Sequence, residues 1–199
     1  GNQTPVNLVI NKLRLKEDLA QKIAANFECD SASVMEVLND PEIFKKFNVD
    51  GNTLMTIVIP NTYSLLWNSA PRKIIDKLYS EKEKFWNTER LAKAKDMNLT
   101  PEQVYSMASI VEEETNKEED KGKIASVYMN RMNTGMRLQA DPTVKFAMKD
   151  FGLKRILLKH LTYDSPFNTY QNAGLPPGPI CTPSVNTIDA VLNAPKTTY

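Results

Sequence analysis

Thr100-Pro101-Glu102-Gln103-Val104-Tyr105-Ser106-Met107-Ala108-Ser109-Ile110-Val111-Glu112-Glu113-Glu114-Thr115 is the stretch on which the reading of this chain turns. Thr100 is placed to cap a helix, Pro101 suits its first position and Gln103 completes a Thr-x-x-Gln capping box, so a helix is predicted to start here. Val104, Met107, Ala108 and Val111 form one apolar stripe at about 100° per residue, in register with Thr115. The acidic run 112–114 closes the helix. On the same wheel Glu113 falls opposite the stripe with Ser106 and Ser109, Glu112 lies on its flank, and Glu114 lies roughly 60° from its centre beside Met107 and Val111.

Glu114 is therefore the carboxylate expected to face protein. A carboxyl half-buried among apolar side chains has its charged form disfavoured, so its pKa rises and it can donate a proton, as a general acid must. Spacing alone leaves a second reading open, because residues 112–120 hold six acids and one lysine and also fit a solvated acidic helix end. Carboxylates at a helix C-terminus oppose the dipole, a placement that stability alone would not select.

Downstream, Ile124, Val127, Tyr128 and Met132 share one face of a segment predicted helical over 121–132, which brings Asn130 and Arg131 near its end, and Gly135 stands where a stop is expected. Asp141 follows, held extended against Pro142; it can orient a partner or cap a helix beginning near Thr143. Half of the twelve prolines lie after His160, at 166, 176, 177, 179, 183 and 195. That composition predicts an ordered, extended loop and no helix. It holds Tyr163, Asp164, Phe167, Asn168, Thr169, Tyr170, Gln171 and Asn172, rings and neutral hydrogen-bonding groups that suit a sugar, although ordinary loop chemistry accounts for them as well.

Upstream, Val6–Ile10 reads as a strand and 16–27 as a helix with Leu19, Ile23 and Phe27 on one face. Ser31 is placed to cap a second helix, Pro41 restarts the chain toward Phe44 and Phe47, and Asp50-Gly51-Asn52 is a turn before a return strand over 53–59. Strand, helix, helix, strand is similar in size and order to a LysM-like module, a fold used on cell-wall glycan; a small α+β cap on a larger domain fits the same pattern. From Arg72 to Met97 the chain is helical and laced with charge, most of it a solvated face.

The 199 residues are 41% apolar and 25% charged, which excludes disorder, collagen and a disulfide scaffold and leaves one or two domains. A net charge of +1 gives no electrostatic footprint for nucleic acid, so none is expected as a partner. Cys29 and Cys181 can form at most one disulfide, and His160 is the only histidine. Together these counts exclude the common zinc sites and leave one candidate for any Ser-His or Cys-His mechanism. No cofactor or metal is expected. No apolar run approaches the ~18 residues of a membrane span. The start Gly1-Asn2-Gln3 reads as trimmed or added, which is compatible with a signal or anchor removed upstream.

Four blocks in fixed order then carry a resemblance. Ala108-Ser109-Ile110-Val111-Glu112-Glu113-Glu114-Thr115, Asn130-Arg131 with Gly135-Met136-Arg137-Leu138-Gln139-Ala140-Asp141-Pro142-Thr143, Asp164-Ser165-Pro166-Phe167-Asn168-Thr169-Tyr170, and Gly174-Leu175-Pro176-Pro177-Gly178-Pro179-Ile180 resemble the YceG-like endolytic murein transglycosylases. The likeness is dense from about Met107 to Lys196. It is fainter at Val58-Ile59-Pro60-Asn61-Thr62-Tyr63, where Asn61 stands in place of the family's Asp. The pattern of elements gives an α+β chain, with a LysM-like βααβ unit over 1–60 and a mainly helical catalytic domain with Pro-rich loops over 61–199; set beside the family it resembles, the chain is expected to lack the C-terminal end.

It further implies a lytic transglycosylase that cleaves the MurNAc-β-1,4-GlcNAc bond within peptidoglycan strands and leaves 1,6-anhydro-MurNAc ends. Glu114, the acid before Thr115, matches the family's catalytic position, Glu112 its other acidic position and Glu113 a variable one. Gln139, Asp141, Asn168, Thr169 and Tyr170 match motif positions and are expected to line the cleft as substrate-binding residues. Cell-wall synthases are the candidate protein partners. The expected location is the inner membrane, with a single anchoring segment absent here and the catalytic domain facing the periplasm. A hydrolytic glycosidase pairing Glu114 with Asp141 or Asp164, and a non-catalytic glycan-binding scaffold, are the competing readings.

Overall fold

A computed structural model describes residues 4–198; Gly1, Asn2, Gln3 and Tyr199 lie outside the described residues. The elements in order are β1 (Pro5–Val9), α1 (Lys16–Asn26), α2 (Ser31–Leu38), α3 (Pro41–Phe47), a 3-10 turn (Leu54–Ile57), β2 (Thr62–Leu66), α4 (Pro71–Phe85), α5 (Thr88–Asp96), α6 (Pro101–Glu114), α7 (Glu118–Asn133), α8 (Asp141–Met148), a second 3-10 turn (Leu158–His160) and α9 (Val185–Leu192). The architecture is a mainly helical α+β fold with one two-stranded antiparallel sheet, in which Pro5 pairs with Leu66 and Val9 with Thr62. No helix among the described residues is long and apolar enough to cross a membrane.

The return strand is not 53–59. Leu54 to Ile59 are buried one after another, so no face alternates with solvent, and Asp50 Oδ1 accepts the N–H groups of Asn52 (2.7 Å) and Thr53 (2.9 Å), winding the chain into a 3-10 turn. Thr62–Leu66 alternates instead, with Tyr63 and Leu65 inward, as a half-buried strand requires. Asp30, one residue before Ser31, caps α2 through the Ser33 N–H at 2.8 Å. The charged segment from Arg72 breaks at Trp86, where Asn87 caps a separate α5 by accepting the Arg90 N–H at 2.9 Å.

Two apolar cores result. One gathers Leu8, Leu19, Ile23, Leu38, Ile43 and Ile57 and draws in Ile74, Ile75 and Leu78 of α4. The other is built on α6, whose residues 104–111 are all buried. α6 is therefore enclosed on every side, not amphipathic. Its predicted polar face is covered because Ser109 Oγ donates to the Ser106 carbonyl (2.6 Å) and accepts the Ile180 N–H (3.0 Å) of the Pro-rich loop. That loop also gives way to α9, which the prolines flank at 183 and 195 without entering, and whose N-terminus Ser184 caps.

A strap formed by residues 11–14 joins the halves. Thr182 donates its N–H to the Leu13 carbonyl and its hydroxyl to the Asn11 carbonyl, and it accepts the Leu13 N–H, all at 2.8 Å. Nearby, Gly178 lies against the Asn52 backbone so closely that a Cβ there would fall 1.8 Å from the Asn52 carbonyl oxygen. Tyr105, fully buried, donates to the Val58 carbonyl at 2.6 Å and links the second core to the first.

Candidate active site

The last turn of α6 sends its three glutamates three ways. Glu112 turns toward α9 and α7, where its carboxylate accepts the Ser184 N–H (2.9 Å), the Thr187 hydroxyl (2.8 Å) and the Lys121 ammonium (3.0 Å). Burial opposes its charge, but these donors outweigh burial and hold its pKa below the ordinary value. Lys121 is buried and also reaches Glu118 and Thr187, each at 2.7 Å. Glu113 pairs with Arg14 of the strap through two bonds, at 3.1 and 3.3 Å, and so fastens α6 to the N-terminal unit.

Glu114 alone is left without a full set of partners. Its side chain is open to solvent, yet enough protein surrounds the carboxyl to raise its pKa: burial acts first, and the negative charge of Asp141 adds to it. Lys145 and the Tyr128 hydroxyl work the other way. An open carboxyl with a raised pKa can be reached by a large ligand and can still carry a proton.

Asp141 is the first residue of α8, not a cap; Ala140 precedes it in extended conformation. Its Oδ1 accepts the Tyr170 hydroxyl at 2.5 Å, and burial together with Asp141 pushes the Tyr170 phenol up to about 12, so Tyr170 remains a donor. Tyr170 is presented by a loop whose other two motif residues are buried. Asn168 donates from Nδ2 to the carbonyls of Leu161 (3.0 Å) and Tyr163 (2.8 Å) and accepts the Tyr170 N–H (2.9 Å). Thr169 Oγ1 accepts the Ala140 N–H at 2.9 Å and pairs with Thr143 Oγ1 at 2.8 Å.

Gln139, exposed, holds a left-handed φ of 52° while its N–H bonds the Thr169 carbonyl at 3.3 Å. That conformation costs energy for a residue with a Cβ, and it turns the chain so that Ala140 meets Thr169. Asp164 is exposed on the loop surface. His160 takes the Leu157 N–H on Nδ1 at 2.9 Å and closes a surface turn.

The sequence reading missed Tyr128 and Lys145 as neighbours of Glu114. Tyr128 belongs to the apolar stripe of α7, and only its hydroxyl marked it as a residue that needs a polar partner. Lys145 stands four residues after Asp141 on one helix, a spacing that puts both on the same face. Beyond Lys145 the surface dips into two recesses of about 90 and 360 Å³ that share Arg14 and Phe146. Phe146 packs against Phe167 with ring centres 4.9 Å apart and planes tilted by 48°.

Fold and site together give a mainly helical α+β protein in which the exposed Glu114 carboxyl, its pKa raised, ends the buried helix α6 near Asp141, Tyr128 and Lys145. The chain belongs to the YceG-like family, whose sequence model matches residues 1–199. It is 44% identical over 108 residues to the endolytic murein transglycosylase of Bacillus subtilis, covering 53% of this chain and 29% of that protein. It is 33% identical over 147 residues to the endolytic murein transglycosylase of Streptococcus pneumoniae serotype 2, covering 70% of this chain and 26% of that protein. The chain thus spans under a third of the length of these relatives. The crystal structure of a YceG-like protein from Listeria monocytogenes superposes with a TM-score of 0.83 at 28% identity, over 98% of this chain and 69% of that one.

Proposed function

We propose that this chain carries the catalytic face of an endolytic peptidoglycan lytic transglycosylase, with Glu114 as its acid and base. The observation that carries the reading is a solvent-open carboxyl whose pKa is raised by burial and by Asp141, at the end of an otherwise enclosed helix, in a chain of this family. Glu114, protonated, donates to the glycosidic oxygen between MurNAc and GlcNAc. As a carboxylate it then takes the proton from the muramyl 6-hydroxyl while that oxygen closes on the anomeric carbon. One bond breaks, one forms, and the carboxyl ends protonated as it began.

The attacking oxygen belongs to the substrate, so no second carboxylate has to activate water, in contrast to ordinary glycosidases. Asp141 has an electrostatic part: its charge adds to burial in raising the Glu114 pKa, which favours the proton-bearing form, and it offsets positive charge developing on the sugar ring. Tyr170 fixes Asp141 by its hydroxyl. Asn168 and Thr169, both buried, act by holding the loop that presents Tyr170, and Gln139 is left with a free side chain at the rim. The β1 to β2 unit, read as LysM-like, binds the same glycan strand, and the protein acts at the outer side of the cytoplasmic membrane beside the wall synthases.

Purified peptidoglycan incubated with the protein and with Glu114→Gln is the test, with fragments and strand ends analysed by mass spectrometry. Ends lighter by one water than hydrolysis products, formed only by the unmodified protein, are expected. Reducing ends would make the protein a hydrolase; bound but uncut glycan would make it a binding module.

A further inference from the structure

Far from Glu114 in its chemistry, residues 151–163 form a surface excursion that the proposed reaction does not use. It holds Lys154, Arg155 and Lys159 and no acid. Among the described residues, none of these three cations has an ion-pair or hydrogen-bond partner for its side chain. Between them stand Leu157, 46% exposed, and Leu158, 84% exposed, with Tyr163 at 42% further along. Leu158 is the most exposed large apolar side chain among the described residues. Single exposed leucines need no explanation, but two adjacent ones at a tip between unpaired cations form a pattern.

The tip is braced. The Leu157 N–H donates to His160 Nδ1 and the His160 N–H to the Leu157 carbonyl, both at 2.9 Å, which closes the turn with the leucines outward. Behind it, the buried Asn168 amide holds the carbonyls of Leu161 and Tyr163, and Gln171 Nε2 donates to the Leu161 carbonyl at 2.7 Å. The structure spends four side-chain hydrogen bonds on keeping two leucines in water. That arrangement makes sense if the leucines are not in water when the protein works.

We propose that this excursion is a membrane-touching tip, with Leu157 and Leu158 entering the acyl boundary of an anionic lipid surface. Lys154, Arg155 and Lys159 pair with lipid phosphates around the point of entry, and Tyr163 lies at the headgroup level. Charge complementarity favours lipid as the occupant. A protein partner with a standard interface covers about 800 Å² on each side, far more than one short turn offers. A polyanion free in solution would satisfy the cations and leave the leucines exposed. Because Asn168 braces the same loop that carries Tyr170, docking of the tip would hold the Glu114 face at a fixed height above the bilayer.

The test is co-sedimentation of the full chain with unilamellar vesicles, either phosphatidylcholine alone or phosphatidylcholine with phosphatidylglycerol, compared with Leu158→Asp, Leu158→Ala, Lys159→Gln and Lys154→Gln. Binding to the anionic vesicles is expected, at least tenfold stronger than to the neutral ones. Leu158→Asp should lower partitioning at least tenfold and Leu158→Ala several-fold, while each lost cation lowers it about fivefold. Thermal unfolding of all four variants should match the parent, since the altered side chains contact solvent. Three outcomes would overturn the proposal: no binding to anionic vesicles, equal binding to neutral ones, or binding that Leu158→Asp leaves intact while the lysine variants abolish it, which would mark a polyanion site only.

Discussion

Replacing Lys121 with Met removes the cation of a nearly dry ion pair and leaves Glu112 charged behind it. The Lys121 side chain is 4% exposed and that of Glu112 13%. Breaking a buried pair by deleting one partner costs about 3 to 5 kcal/mol. Glu112 keeps the Ser184 N–H and the Thr187 hydroxyl, and the Glu118 partner is 61% exposed and adds little. The lower end, about 3 kcal/mol, is therefore expected for Lys121→Met. At roughly 2 to 4 °C per kcal/mol for a chain of this size, Tm falls by about 6 to 12 °C at neutral pH.

Adding Glu112→Gln removes the stranded charge and should return all but about 1 kcal/mol, so the double variant is more stable than Lys121→Met alone. The pH dependence has a defined sign. The pKa of Glu112 is lowered on folding, so its contribution is present above its ordinary value of 4.5 and is lost as pH falls through the folded value. The pKa of Lys121 is raised: burial works against the ammonium, Glu118 and Glu112 outweigh it, and the contribution holds below 10.5 and is lost as pH climbs through the folded value. Calorimetry of the two single variants and the double variant, at neutral and acid pH, measures all of this. A loss under about 1 kcal/mol for Lys121→Met, or additive losses in the double variant, would refute the reasoning.

Asp141→Asn removes the secondary cause of the raised Glu114 pKa and leaves burial in place, so the alkaline limb of the cleavage rate should move to lower pH; an unmoved limb would separate Asp141 from the acid. Gly178→Ala places a Cβ against the Asn52 carbonyl, backbone that cannot yield as a side-chain tip can, and should destabilise by about 1 to 3 kcal/mol or more on thermal unfolding. Thr169→Val keeps shape but strands the Ala140 N–H, and a loss of about 1 to 3 kcal/mol is expected, read as lowered Tm. If Thr169→Val instead weakened glycan binding with Tm unchanged, Thr169 would be a contact residue and not a brace.

Local signals carried well where a residue's own chemistry decides. The Thr100 box begins α6 as written. The wheel is less faithful at the other end: it turns Glu114 toward protein and Glu113 away, whereas Glu112 and Glu113 are the covered pair, held by Lys121 and Arg14, and Glu114 is the exposed one. Signals failed where tertiary contact decides. Nothing in the alternation of 53–59 reveals that all of Leu54 to Ile59 would be enclosed, and Ser109 falls opposite the apolar stripe although its hydroxyl accepts an N–H from Ile180, 71 positions away in the Pro-rich loop. Asn168 and Thr169 have the composition of a sugar-binding loop and the burial of a scaffold. From sequence the two roles look alike, since both need amides and hydroxyls; what separates them is which carbonyls lie within reach.

The strap at 11–14 also sets an order of events. Its bonds to Thr182 span up to 171 positions, while the first core is closed within residues 8–78. Closing so long a loop is slow compared with forming local helices. As the chain leaves the ribosome, the first unit can complete its own core and then wait, its strap unpaired, until residues 178–182 arrive. The seam between the halves thus forms late, with the packing of α9 that completes the second core, and refolding from denaturant should show a late phase after most helical signal has returned.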